Sequence, residues 1–191
     1  MNAQPRPSLS RLKALLEERS LQRGNITLAS GAEAGIYVDC KQTALHPEGA
    51  LALGLHLYEQ LKAIEDATGR IAAAVGGMSI GADPLATAVS LAAYADGRFL
   101  PAFLVRKEPK KHGTGAYLEG LKNIEPASDV ILLEDVVTTG GSTLMAAERV
   151  ISGGLHPFGV SVIIDREVGG MANLEATGLK TSALFRLSEL T

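Results

Sequence analysis

Tryptophan is missing from the chain and aromatic residues reach only 4%, so a surface that stacks successive bases is poorly supplied. The formal net charge of −3 works against broad binding of a polyanion. Nucleic acid is therefore not an expected partner. Cys40 is the single cysteine, which rules out an internal disulfide. The polar, proline-containing start M-N-A-Q-P-R-P lacks a secretory apolar region, and the expectation is a reduced, cytoplasmic protein. Long apolar runs are scarce too. Residues 71–75 and 82–95 fall short of a bilayer span or carry polar side chains, so no membrane segment is expected. Neither G-x-x-x-x-G-K-[ST] nor G-x-G-x-x-G occurs, which weakens nucleoside triphosphate and dinucleotide readings.

What is present suits one α/β domain. The 191 residues are 46% hydrophobic and 20% charged, enough to bury a sizeable core and too few for two comfortable domains. Strands alternate with helices from about 46 to 164, and the terminal segments, about 1–45 and 165–191, are expected to form a small hood.

The most informative stretch is V-I-L-L-E-D-V-V-T-T-G-G-S-T-L, residues 130–144. Val130 to Leu133 read as a buried parallel strand with Glu134 and Asp135 at its carboxyl end, where open α/β sheets bind ligands. Thr138, Thr139, Gly140, Gly141 and Ser142 then lead into a helical pattern from Leu144. A helix N-terminus offers unpaired N–H groups, and the glycines allow an anion to approach the backbone closely. Paired carboxylates before such a cradle can accept hydrogen bonds from the vicinal hydroxyls of a ribose whose 5′-phosphate sits in the turn. The plain alternative is a solvated acidic pair and an ordinary helix cap at Thr138 or Ser142.

Other segments supply possible partners. Ser8 is placed to cap a helix with Leu9, Leu12, Leu15 and Leu16 on one face. Short strands are expected at 26–28 and 36–39. Pro47 begins a long helix reaching about Asp66, with His56 on its surface. Residues 71–75 read as a strand entering the glycine-rich turn G-G-M-S-I-G, where Asp83 caps and Pro84 begins the following helix. A strand over 99–105 leads into R-K-E-P-K-K-H, which carries net +3 in seven residues and leaves −6 for the rest. With Gly113, Gly115 and Gly120 this segment, 106–120, suits a lid over an anionic ligand, or else a merely solvated charge run. A strand at 158–164 ends at Asp165 and Arg166, a candidate carboxylate fork, and 179–187 form a last strand.

Four stretches taken together, T-L-x-S-G with I-Y-V-D, G-G-M-S-I-G-A-D-P, R-K-E-P-K-K-H-G-T-G and L-E-D-V-V-T-T-G-G-S-T, resemble the orotate phosphoribosyltransferase family. The last is shared by all type I phosphoribosyltransferases, whereas the basic loop is more specific. The resemblance implies a mostly parallel sheet flanked by helices, with a hood. It implies transfer from 5-phosphoribosyl 1-diphosphate to orotate with Mg²⁺ held mainly by the substrate, and a homodimer whose lid reaches the partner site. By the same resemblance Glu134 and Asp135 hold the ribose hydroxyls, and Thr138 to Ser142 the 5′-phosphate. Gly76, Gly77, Met78, Ser79 and Gly81 with Arg106, Lys107 and Lys110 line the pyrophosphate. Lys110, His112 and Asp135 are catalytic, while Tyr37, Val38, Thr138 and Arg166 meet orotate. Ala29 and Ser79–Ile80 stand where family members carry lysine, which shifts charge neutralisation to Arg106, Lys107, Lys110 and Mg²⁺. A phosphoribosyltransferase for another base, a regulator sensing 5-phosphoribosyl 1-diphosphate, and a synthase-type paralogue of the same fold remain as alternatives.

Overall fold

The computed structural model describes residues 6–27, 33–109 and 117–190. Lys110, His112 and Ala29 lie outside them. The chain runs α1 (Leu9–Arg19), β1 (Leu21–Thr27), β2 (Glu33–Val38), α2 (Lys41–Ala44), α3 (Pro47–Thr68), β3 (Ala74–Met78) and α4 (Ala82–Ala95). It continues with β4 (Ala102–Val105), β5 (Leu118–Glu119), β6 (Asp129–Val137), α5 (Gly141–Ser152), β7 (His156–Asp165), α6 (Gly170–Glu175) and β8 (Lys180–Arg186).

Six strands form one sheet in the order β5-β4-β3-β6-β7-β8. All neighbours are parallel except β4 and β5. Alternation along β6 decides how the faces are covered. Ile131 and Leu133 join a core with α1, α3 and α4, while Val130 and Leu132 join a second core with α5. Both faces are thus buried, as a parallel sheet requires. Because β3 is followed outward by β4 while β6 returns to its other side, the order reverses between β3 and β6, and a crevice opens there beyond the strand ends.

Two helix starts follow expectation. Ser8 Oγ accepts from the Arg11 amide at 3.2 Å, and α3 starts at Pro47 with His46 as its N-cap. Leu12, Leu15 and Leu16 are fully buried, although Leu9 remains exposed. His56 is not a free surface residue, because its Nε2 lies 3.1 Å from the Pro7 carbonyl and the N-terminal segment covers it.

Several boundaries move for packing reasons. The strand expected at 71–75 is β3, at 74–78. Before it, Ala72 is held by a buried ion pair: its N–H donates to Glu65 Oε1 at 2.6 Å and its carbonyl accepts from Arg98, which itself forks onto Glu65. The next strand begins only at Ala102, leaving Phe99 exposed. The terminal segment does not belong wholly to a hood. β8 pairs in parallel with β7 as an edge of the main sheet, with Thr181 and Phe185 buried along it. The separate two-stranded sheet is β1–β2, tied to the C-terminal segment by Arg23 Nη2 on the Leu190 carbonyl at 3.3 Å.

Candidate active site

The crevice is built where β3 and β6 end. Glu134 and Asp135 do not follow their strand but lie within it, since β6 continues to Val137 and pairs with β7 through Asp165. The two carboxyl groups stay close enough for a side-chain hydrogen bond between them. Glu134 is buried, and its Oε2 accepts from Ser142 Oγ at 3.0 Å and Thr143 Oγ1 at 2.7 Å. Burial pushes the Glu134 carboxyl up to about 7. The Thr143 hydroxyl opposes this and the neighbouring Asp135 charge adds to it.

Thr138 to Gly140 make the turn, and α5 starts at Gly141, three residues earlier than the pattern from Leu144 suggests. Neither Thr138 nor Ser142 caps it; Gly140, at φ 84°, is the N-cap. A side chain there would be strained and would also meet the Gly170 carbonyl at 3.1 Å. Thr138, Thr139, Gly141 and Ser142 are exposed, so the first amides of α5 open toward solvent from a rigid frame. Asn173 Nδ2 supports that frame by donating to the Thr139 carbonyl at 3.0 Å.

The glycine-rich turn after β3 is shorter than expected. Gly76, Gly77 and Met78 are buried inside β3 and do not line it. Their small size serves packing: a Cβ on Gly76 would stand 2.2 Å from the Phe103 carbonyl, and one on Gly77 2.1 Å from that of Leu133. The turn proper is Ser79, Ile80 and Gly81, with a cis Ser79–Ile80 peptide. Asp83 does not cap α4, which begins at Ala82. Its Oδ1 instead accepts from Ser79 Oγ at 2.8 Å.

Gly81 brings the two motifs together. A Cβ on it would lie 2.6 Å from Asp135 Oδ1, so the turn backbone rests directly against the half-buried carboxylate. From the other side, the buried Cys40 Sγ approaches the Asp135 carbonyl at 3.9 Å. Burial raises the Cys40 thiol well above its ordinary range, with Asp135 adding to the effect. It stays an uncharged contact between hood and sheet.

Arg166 follows β7 beside this centre, its N–H donating to the Val137 carbonyl at 3.0 Å. Its buried Nε has no hydrogen-bond partner among the described residues. Tyr37 and Val38 end β2, Tyr37 partly exposed and Val38 packed on the core. Arg106 stands at the end of β4, its guanidinium on Glu119 Oε1 at 3.2 Å and the Glu108 carbonyl at 3.3 Å. Lys107 follows it; Lys110 and His112 lie outside the described residues.

Sequence reasoning missed Lys41. Its ammonium contacts Asp39 Oδ1 at 2.6 Å. That hydrogen bond raises its pKa against partial burial, and Asp135 and Tyr37 reinforce it. A lysine two residues from an aspartate gives no signal beyond a solvated turn, and only the hood's placement brings it near β6.

An acidic strand end, a turn resting on it and a hydroxyl-rich helix start, all at the switch point of a parallel sheet, define a type I phosphoribosyltransferase fold. No family model matches the chain. It is 44% identical over 181 residues to the orotate phosphoribosyltransferase of Rhodopirellula baltica, covering 95% of this chain and 93% of that one. It is 42% identical over 184 residues to that of Sorangium cellulosum, covering 96% and 93%. The Mycobacterium tuberculosis orotate phosphoribosyltransferase in complex with 5-phospho-α-D-ribosyl 1-diphosphate matches with a TM-score of 0.77 at 33% identity, over 95% of this chain and 98% of that chain. The chain belongs to the orotate phosphoribosyltransferase family.

Proposed function

We propose that the chain transfers the 5-phosphoribosyl group from 5-phospho-α-D-ribose 1-diphosphate to orotate, giving orotidine 5′-monophosphate and diphosphate in pyrimidine synthesis. The observation that carries this reading is the contact of the Gly81 backbone with the Asp135 carboxylate, beside the partnerless Arg166 Nε. Asp135 accepts from the ribose hydroxyls, and the amides and hydroxyls of Thr138 to Ser142 hold the 5′-phosphate. Glu134 is turned into its own loop and supports both. The turn 79–81 with Arg106, Lys107 and Lys110 takes the diphosphate, and His112 joins from the lid, 106–120. Arg166 receives the orotate carboxylate, whose oxygens supply what the orphaned Nε lacks, with Tyr37, Val38 and Thr138 beside the ring.

As the C1–O bond breaks, its electron pair leaves with diphosphate and positive charge builds on the ribosyl ring, while a ring nitrogen of orotate closes the new bond and its proton passes to the departing diphosphate or to water. Cations over the leaving group act where negative charge develops. Mg²⁺ is a hard, oxygen-seeking ion. Among the described residues no three His, Cys, Asp or Glu side chains gather into a metal cluster, while Asp135 offers one carboxylate at the crevice. It would therefore be held chiefly by substrate oxygens with Asp135, and it supplies further neutralisation of the diphosphate.

The assembly is a homodimer. Supporting this, α3 and α4 enclose an apolar groove of about 620 Å³, with Leu45, Leu51 and Leu91 exposed along it. The location is cytoplasmic, which the single buried cysteine suits. No helix among the described residues is long and apolar enough to cross a membrane.

The test follows orotate absorbance with 5-phosphoribosyl 1-diphosphate and Mg²⁺, with adenine, hypoxanthine, guanine, xanthine and uracil as alternatives. Metal-dependent consumption of orotate alone is the expected result. Turnover of another base would overturn the Arg166 assignment, and no turnover at all would overturn the reading.

A further inference from the structure

Arg149, in the last turns of α5, has no part in the scheme above, yet its side chain reaches three of the segments that the scheme uses. Nη1 donates to the Arg106 carbonyl at 2.7 Å. The same nitrogen stands 3.6 Å from Met78 Sδ, the residue before the turn 79–81. The guanidinium carbon lies 4.4 Å from the centroid of the Tyr117 ring. Arg106 and Tyr117 are themselves joined, the Arg106 N–H donating to the Tyr117 carbonyl at 2.8 Å.

The partners are of an unusual kind. Arg11, Arg70, Arg98 and Arg106 are each paired with a carboxylate. Arg149 meets a carbonyl, a thioether and a ring, and among the described residues no carboxylate lies within ion-pair distance of it. A half-buried guanidinium without an ion-pair partner among the described residues keeps its positive field, and a planar fork over an aromatic face is fixed in orientation. The seam has a second contact. A Cβ on Gly153, just past α5, would stand 2.3 Å from Leu118 Cδ1, so the helix end is shaped around the residue that follows Tyr117. The other end of α5 carries Ser142 and Thr143 on Glu134. One rigid helix of 12 residues therefore joins the phosphate turn to the segment bearing Arg106.

We infer that Arg149 is a positioning residue for diphosphate binding: it fixes the Arg106 backbone and the Tyr117 strand entry against the phosphate-loop helix, so that Arg106 and Lys107 face the leaving group. This inference rests on the phosphoribosyl-transfer reading. Arg149 touches no substrate and acts through Arg106.

The experiment compares wild type with Arg149→Met, which keeps the apolar stem, Arg149→Lys, which restores one donor without the planar face, and Tyr117→Leu, which removes the ring. In steady-state assays Arg149→Met should raise KM for 5-phosphoribosyl 1-diphosphate at least fivefold and leave KM for orotate within twofold. Arg149→Lys should recover part of the loss, and Tyr117→Leu should shift the same KM in the same direction. A parallel rise in both KM values, or no change in either, overturns the inference. A second readout needs no activity: tryptic cleavage within 107–111, mapped by mass spectrometry on the substrate-free protein, should be at least threefold faster in Arg149→Met and in Tyr117→Leu. Equal cleavage rates overturn the anchoring role. If the wild type makes no orotidine 5′-monophosphate, the function reading fails, and the cleavage comparison still decides whether Arg149 anchors the segment.

Discussion

Glu134 is asked to be both a support and a charge. Its carboxyl is 5% exposed and holds two hydroxyls at the start of α5, and burial raises it from 4.5 to about 7. A carboxyl whose folded-state pKa is raised binds its proton more tightly in the native chain than in the unfolded one. Its contribution is thus fully present below about 4.5, is lost as pH climbs toward 7, and is constant above. The ceiling on that loss is roughly 3 kcal/mol, from about 1.4 kcal/mol for each unit. Urea denaturation at pH 5 and pH 8 should show wild type losing on the order of 2–3 kcal/mol more than Glu134→Gln across the interval. Parallel curves for the two proteins would mean that Glu134 carries no such proton.

Within β3 and the turn after it, glycines that look alike in sequence do different work. Gly77 sits in the sheet with no room for a methyl group between the Leu133 carbonyl and Ala82. Gly77→Ala should cost roughly 1–3 kcal/mol of stability, the usual range for overpacking, seen as a lowered Tm. Gly81 has φ −58° and ψ −45°, a conformation alanine adopts readily, so the backbone does not require glycine there. Only the Asp135 carboxylate forbids a Cβ. Gly81→Ala should therefore leave Tm nearly unchanged and lower kcat/KM at least tenfold, about 1.4 kcal/mol of transition-state stabilisation. A folded Gly81→Ala variant with normal kinetics would remove the contact between turn and carboxylate from the mechanism.

For the whole molecule, the groove between α3 and α4 is the face proposed to carry the dimer. α4 begins at the turn 79–81, so a subunit seated on this face would lie next to the crevice. Leu91, 64% exposed at the groove, is the position to test. Leu91→Glu should shift the wild-type dimer to monomer in sedimentation equilibrium while near-native circular dichroism persists, because a charge buried at an apolar interface lacks a partner. A wild-type monomer, or a dimer indifferent to this change, would place the interface elsewhere.

Local patterns made much of this legible: the β-branched run of β6, the acidic pair, the threonine- and glycine-rich turn, and the proline that opens α3. Each is written in neighbouring residues, and each constrains only its neighbours. The chain by itself thus determined the alternation of strands and helices and the family signature. It could not separate strand glycines from turn glycines, because Gly76 and Gly77 are small for the sake of Phe103 and Leu133, residues distant in sequence. Nor could it place Lys41 near Asp135, or Arg149 under Arg106 and Tyr117. The tertiary structure decided how deeply Glu134 is buried, where β8 joins the sheet, and how closely Gly81 approaches Asp135. Those outcomes depend on contacts between segments remote along the chain, which only close packing brings within a few ångströms.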